Sequence, residues 1–167
     1  MNTNWMFITL CYSGLSPKAP GTAGSFVALI LGVLILSYFG PQTLFFAALL
    51  ITIIAIKAID RYEAASGIHD DKRIVIDELS GMWIALSIAP AVSFSLHDLW
   101  VFDNGLLAQI VLSFLLFRVY DITKPSIIGR IDREVKGGLG VMGDDVIAGF
   151  AAGITTALLV EGYRYLM

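Results

Sequence analysis

Apolar residues run along this chain in long blocks and not in alternation. Residues 19–56 carry no charge, a stretch of 38. Gly40-Pro41 punctuates it near the middle, as a turn does. The block predicts two helices, about 23–39 and 42–59. Further uncharged runs cover 79–97, 104–117 and 146–160. A bilayer-crossing helix needs roughly 20 mostly apolar residues, with a range of about 17–25. The last two runs approach that length only if their charged ends are included: Arg118 and Asp121 on one, Asp144 and Asp145 on the other. The runs are apolar on all sides, as in buried or membrane helices. Strand-like alternation is not evident, which argues against a β-barrel. The expected fold is all-α. It is a small helical integral membrane protein with about five membrane helices, in one domain over residues 1–167.

Composition sharpens this picture. Of 167 residues, 57% are hydrophobic and 15% charged. About 25% charged is usual for soluble proteins. The mean hydropathy is +0.79. A soluble bundle of this length has too few helices to cover so apolar a core. Disorder is excluded, because it needs low hydrophobicity and high charge. The net charge of -3 makes a nucleic-acid partner unexpected. A single cysteine, Cys11, leaves no internal disulfide and no cysteine-rich zinc site. Residues 1–11 lack a basic segment, so no cleavable signal peptide is expected there.

The charges also fall on one side. If the five helices alternate direction, ten of the eleven Lys and Arg residues share a face, and only Arg164 lies opposite. The positive-inside rule makes that face cytoplasmic. Eleven of the fourteen acids share it, all but Asp98, Asp103 and Glu161. Helix bookkeeping does not require acids to follow bases.

Three polar segments on this face could carry chemistry. Gly14-Leu-Ser-Pro leads to Pro20-Gly-Thr-Ala-Gly-Ser25, too rich in Gly and Pro to read as regular structure. With Thr22 and Ser25 at a helix N-terminus it is either a loop and cap or a cradle for an anion. It does not have Walker A spacing. Asp77-Glu78 precedes the third apolar run, where it either complements the helix dipole or ligates a hard cation. Arg118, Asp121 and Lys124 follow at i, i+3 and i+6, one helical face of alternating sign. Asp144-Asp145 opens the last run. His69, beside Asp70 and Asp71, reads as a metal ligand, an acid–base group or a solvated loop residue.

Capping needs one acid at a helix start, not two. Five converging carboxylates (Asp77, Glu78, Asp121, Asp144 and Asp145) repel one another unless a cation neutralises them. All-oxygen coordination with retained waters suits Mg²⁺. Arg118 and Lys124 beside it suit a phosphate. The pattern points to metal-dependent phosphoryl chemistry at a lipid surface. A transporter would place its ionisable groups near the bilayer midplane. A scaffold would not need two acid pairs at helix starts.

These segments resemble the phosphatidylglycerophosphatase A family. The resemblance rests on Gly14–Ser25, Gly67-Ile-His-Asp70, Val75-Ile-Asp-Glu78 with Gly81-Met-Trp83, and Phe117-Arg-Val-Tyr-Asp121 with Lys124-Pro125. Asp132-Arg133 and Gly137-Gly-Leu-Gly-Val-Met-Gly-Asp-Asp145 with Ala148-Gly149 complete it. It implies a bacterial inner-membrane enzyme, multi-pass and facing the cytoplasm. That enzyme removes the terminal phosphate of phosphatidylglycerophosphate with Mg²⁺, and its phospholipid substrate stays in the membrane. It implies that Asp77, Glu78, Asp121, Asp144 and Asp145 are the metal and catalytic acids. A phosphatase for another lipid phosphate is the alternative. Gly149-x-x-x-Gly153 is a small-residue packing pattern that serves either one chain or a dimer, so oligomeric state stays open.

Overall fold

The computed structural model describes residues 3–89, 94–101 and 105–166. It contains helices α1 (Thr3–Ile8), α2 (Pro20–Ser66), α3 (Ile76–Ile88), α4 (Leu106–Thr123), α5 (Ile127–Glu134) and α6 (Gly138–Leu166). Short 3-10 turns lie at Ser13–Leu15 and Leu96–Trp100. No strand occurs among the described residues.

α2 is two legs joined at Gly40, whose φ of 79° and ψ of 172° are open to glycine and strained for other residues. Pro41 lacks an N–H and so starts the second leg without wasting a donor. The first leg is about 30 Å long and the second nearly 40 Å, at about 1.5 Å per residue. Gly21, at one end of α2, lies against Glu78. Glu63, near the other end, lines a cavity with Asp77 and Asp145. Both ends therefore meet at one end of the molecule, and the legs form a hairpin. The turn predicted at Gly40-Pro41 is present.

By length and composition α2, α4 and α6 can cross a membrane. Their outer surfaces match. Phe26, Ile30 and Leu34 stand exposed on the first leg, Phe46, Leu50 and Ile53 on the second, Leu115 and Val119 on α4, and Leu158 and Leu159 on α6. Soluble monomers rarely expose such patches. In a bilayer they meet lipid tails.

α3 differs from expectation. The run 79–97 predicts a spanning helix, yet α3 stops at Ile88 after 13 residues. At about 1.5 Å per residue it reaches roughly 20 Å, short of a bilayer core of about 30 Å. The reason is local. Ala89 precedes a proline in the sequence and adopts the extended φ of −135° and ψ of 111° that such a position favours. Eleven of the thirteen residues of α3 are buried. It is a central helix packed by α2, α4 and α6, with no lipid face of its own.

Glycines allow that packing. A Cβ at Gly149 would stand 2.3 Å from the Gly81 carbonyl oxygen, and one at Gly81 2.5 Å from the Asp145 carbonyl oxygen. Gly153 packs against Ala85 and Ile88. The Gly149-x-x-x-Gly153 pattern thus joins α6 to α3 within the chain. Trp83 Nε1 donates to the Ala28 carbonyl at 2.9 Å, and Ser113 Oγ to the Ala89 carbonyl at 2.9 Å.

Three boundaries move from their predicted places. Residues 20–25 are the opening turns of α2 and not irregular loop. α6 begins at Gly138, where the Gly138 N–H donates to Asp60 Oδ1 at 2.7 Å, so the Asp144-Asp145 pair lies about two turns inside the helix. The loop expected over residues 120–144 contains α5, which buries Ile128 and Gly129.

Candidate active site

Three helices deliver the acids. Asp77 and Glu78 occupy the first turn of α3. Asp121 lies in the last turn of α4. Asp144 and Asp145 come from α6, which Gly81 and Gly149 let approach α3 to backbone contact. One carboxylate oxygen each from Glu78, Asp121 and Asp145 lies within 4.8 Å of the others. Asp77 is close enough to feel the charges of Glu78, Asp144 and Asp121.

Arg118 organises the floor. Its Nη1 donates to Glu78 Oε1 and Oε2 at 2.7 and 2.6 Å and to Ser25 Oγ at 3.0 Å. It also lies 2.7 Å from Asp121 Oδ2. The Ser25 hydroxyl donates to Glu78 Oε2. Lys124 caps α4 in a left-handed conformation, φ 42° and ψ 57°. That turn takes it off the helical face predicted for Arg118, Asp121 and Lys124. Its Nζ reaches Asp144 Oδ2 at 2.6 Å and also bonds Asp132.

This crowding has an electrostatic cost. Burial, with the charge of Asp121, pushes the Glu78 carboxyl up to about 7, although Arg118 and Ser25 pull the other way. Burial, and then the Glu78 charge, holds Asp77 well above the usual carboxylate range. Burial works against the Lys124 ammonium, but Asp132 and Asp144 outweigh it and hold its pKa above the usual lysine value. Asp144 Oδ1 and Asp145 Oδ2 are buried with no hydrogen-bond partner among the described residues. A buried unsatisfied acceptor costs about 1–3 kcal/mol. An Asp145 carboxylate with one oxygen lacking a donor, grouped with the carboxylates of Glu78 and Asp121, fits a hard cation, which takes oxygen ligands. The donor set could therefore hold a metal ion.

A cavity of about 380 Å³ opens over the acids. Asp77, Asp121, Asp144, Asp145 and Lys124 line it, together with Glu63, His69, Asp70, Asp132, Arg133 and Lys136. Its size suits a small polar group. Arg118 and Ser25, expected to meet a phosphate, do not line it. Their polar atoms are spent on Glu78. Thr22 is exposed on the first turn of α2 and does not line the cavity either. His69 stands at the rim, 79% exposed in its side chain, with Nδ1 3.0 Å from Glu63 Oε2. The sequence marks Glu63 and Lys136 only as charges on the predicted cytoplasmic face, and Arg133 also as part of the Asp132-Arg133 motif. The available signal for Glu63 was an acid near the end of an apolar helix, a weak one.

Fold and centre together define a class, a helical protein with membrane-spanning-length apolar helices whose polar end gathers buried acids that could hold a metal ion. The family profile described as phosphatidylglycerophosphatase A matches residues 6–160. The chain belongs to that family, and with it to the phosphoric monoester hydrolases. It is 36% identical over 140 residues to "Phosphatidylglycerophosphatase A" of Haemophilus influenzae, covering 84% of this chain and 78% of that one. It is 35% identical over 157 residues to the Escherichia coli protein of the same name, covering 92% and 83%. It is also 37% identical over 151 residues to a Bacteroides thetaiotaomicron protein named "Putative phosphatidylinositol-3-phosphatase", covering 87% and 86%. No solved structure matches the chain.

Proposed function

We propose that this protein hydrolyses phosphatidylglycerophosphate to phosphatidylglycerol and phosphate, using Mg²⁺, at the cytoplasmic surface of a bacterial inner membrane. The observation that carries the reading is the cluster of Glu78, Asp121 and Asp145, with one Asp145 oxygen and one oxygen of neighbouring Asp144 buried and unpartnered, at a cavity at the polar end of apolar helices. Glu78, Asp121 and Asp145 would hold the metal, with Asp77 and Asp144 beside them as ligand, base or nucleophile. The chemistry such an ion would supply is neutralisation of phosphate charge and a lowered pKa for a nearby water.

The chain's own residues do the rest. Lys124 meets the transferring phosphoryl group, joined by Arg133 and Lys136 from the cavity wall. Arg118 and Ser25 fix Glu78 from behind. A carboxylate takes the proton of the attacking water. Attack by an aspartate, with a phosphoryl-aspartate intermediate, is the competing route, and hydroxylamine trapping separates the two. The lipid tails stay among the exposed apolar faces of α2, α4 and α6. Residues 1–167 act as one domain.

The test is phosphate release from phosphatidylglycerophosphate by the detergent-purified protein, with Mg²⁺ or EDTA, for wild type and Asp145→Asn. Release that needs Mg²⁺ and falls more than about 100-fold in the variant is expected. No release by folded wild type refutes the substrate. A second reading, another lipid phosphate, draws on the Bacteroides relative's name. Phosphatidylinositol 3-phosphate assayed in parallel decides between them.

A further inference from the structure

At the rim of the cavity, apart from the carboxylate cluster, lies a paired acid and imidazole. Glu63 is buried near the end of α2, with its side chain 7% exposed, while His69 stands in solvent. Glu63 Oε2 lies 3.0 Å from His69 Nδ1. The Asp70 backbone N–H donates to Glu63 Oε1 at 3.2 Å. Asp70 adopts a left-handed φ of 51°, a conformation that aspartate tolerates better than most residues. The loop is thus folded back so that one carboxylate holds both the His69 ring and the backbone that carries it. A carboxylate only accepts, so Nδ1 carries the hydrogen in this contact. Nε2 is left as the atom that can give and take a proton. Glu63 and His69 both line the cavity that contains Asp121, Asp145 and Lys124.

The arrangement matches a requirement of the chemistry. Expelling a lipid alkoxide from phosphorus is slow unless the leaving oxygen is protonated as it departs. Within the cavity Lys124 is engaged by Asp132 and Asp144, and the cluster carboxylates are already assigned above to the cation and the nucleophile. We propose that His69 is the general acid of the reaction and Glu63 its positioning residue. This rests on the phosphomonoesterase reading above. The bond from phosphorus to the lipid oxygen breaks while a bond from the nucleophile to phosphorus forms. The Nε2 proton of His69 passes to the leaving oxygen, giving the lipid alcohol. The nucleophilic water's proton passes to a carboxylate, and exchange with solvent restores both groups. Glu63 fixes the ring's orientation and keeps the hydrogen on Nδ1, as the carboxylate partner of a catalytic histidine does.

The experiment compares two substrates with different leaving groups. One is phosphatidylglycerophosphate. The other is a dodecyl-tailed nitrophenyl phosphate in the same mixed micelles, whose nitrophenolate leaves without protonation. Wild type, His69→Gln and Glu63→Gln are assayed with Mg²⁺. His69→Gln is expected to lose about 100-fold in kcat on the phospholipid and only a few-fold on the aryl phosphate. Glu63→Gln keeps an acceptor for Asp70 and is expected to show the same selective loss at about tenfold. His69 is mostly exposed, so its replacement leaves the packing intact, and a circular dichroism melt checks this. Equal losses on both substrates, or no loss on the phospholipid, overturn the dyad and leave the phosphatase reading standing. Wild-type protein that hydrolyses neither substrate overturns the phosphatase reading and the dyad with it.

Discussion

Arg118 shows how far a residue's type predicts its chemistry. Its cation beside acids suggests a phosphate ligand, yet the guanidinium is committed to Glu78, Asp121 and Ser25 at the floor. The Arg118 and Glu78 side chains are 14% and 8% exposed. Removing one partner of a buried pair costs about 3–5 kcal/mol, because the other charge is left without compensation. Arg118→Met is therefore expected to lower Tm by about 10 °C and to abolish phosphate release. A thermal melt of the detergent-purified variant in EDTA checks this, and an unchanged Tm contradicts the structural role. The five acids were legible as chemistry, since paired Asp and Glu beside apolar runs have few other uses. The grouping of Glu78, Asp121 and Asp145 was not legible, because it depends on contacts across three helices. Glu63 was not legible either, as its partner His69 is reached only by the fold of the intervening loop.

Among the elements, α3 and α6 carry the geometry. They meet at Gly81 and Gly149, and the acids lie within about one turn of that contact. Gly149→Ala places a methyl 2.3 Å from the Gly81 carbonyl oxygen, and backbone cannot yield as a flexible side chain does. Overpacking of this kind costs about 1–3 kcal/mol. The variant is expected to melt several degrees lower and to lose more than tenfold in kcat, since separating the helices separates the clustered acids. Gly162→Ala, whose Cβ meets nothing within 4 Å, is the control that should change neither. Hydropathy located the helices but misjudged two of them. It extended α3 past Ile88 because Ala and Val beyond it are apolar, whereas the preceding-proline constraint at Ala89 ends the helix. It started the last helix at Val146 because the acids look like a boundary. Backbone hydrogen bonding starts α6 at Gly138 and carries two buried aspartates inside the helix.

For the whole molecule, the two ends of α2 and the starts of α3 and α6 gather the polar groups at one end. The positive-inside rule predicts that this end faces the cytoplasm. Cys11 offers a direct check, being the one cysteine of the chain and exposed near that end. A membrane-impermeant maleimide is expected to label it in inverted vesicles and not in intact spheroplasts. The opposite pattern reverses the topology.

The sequence by itself determined an all-helical membrane protein, the hairpin at Gly40-Pro41, the charged face and the five acids. Those properties follow from local hydropathy, from backbone limits at glycine and proline, and from the cost of placing charge in hydrocarbon. Only the tertiary structure decided that α3 is a buried core helix and that Glu78, Asp121 and Asp145 share one point. It also decided that Arg118 supports Glu78, and that Glu63 holds His69 at the cavity rim. Each of these depends on which surfaces come within a few ångströms. That distance is set by how glycine-lined helices pack, information spread over segments up to about a hundred residues apart in the chain.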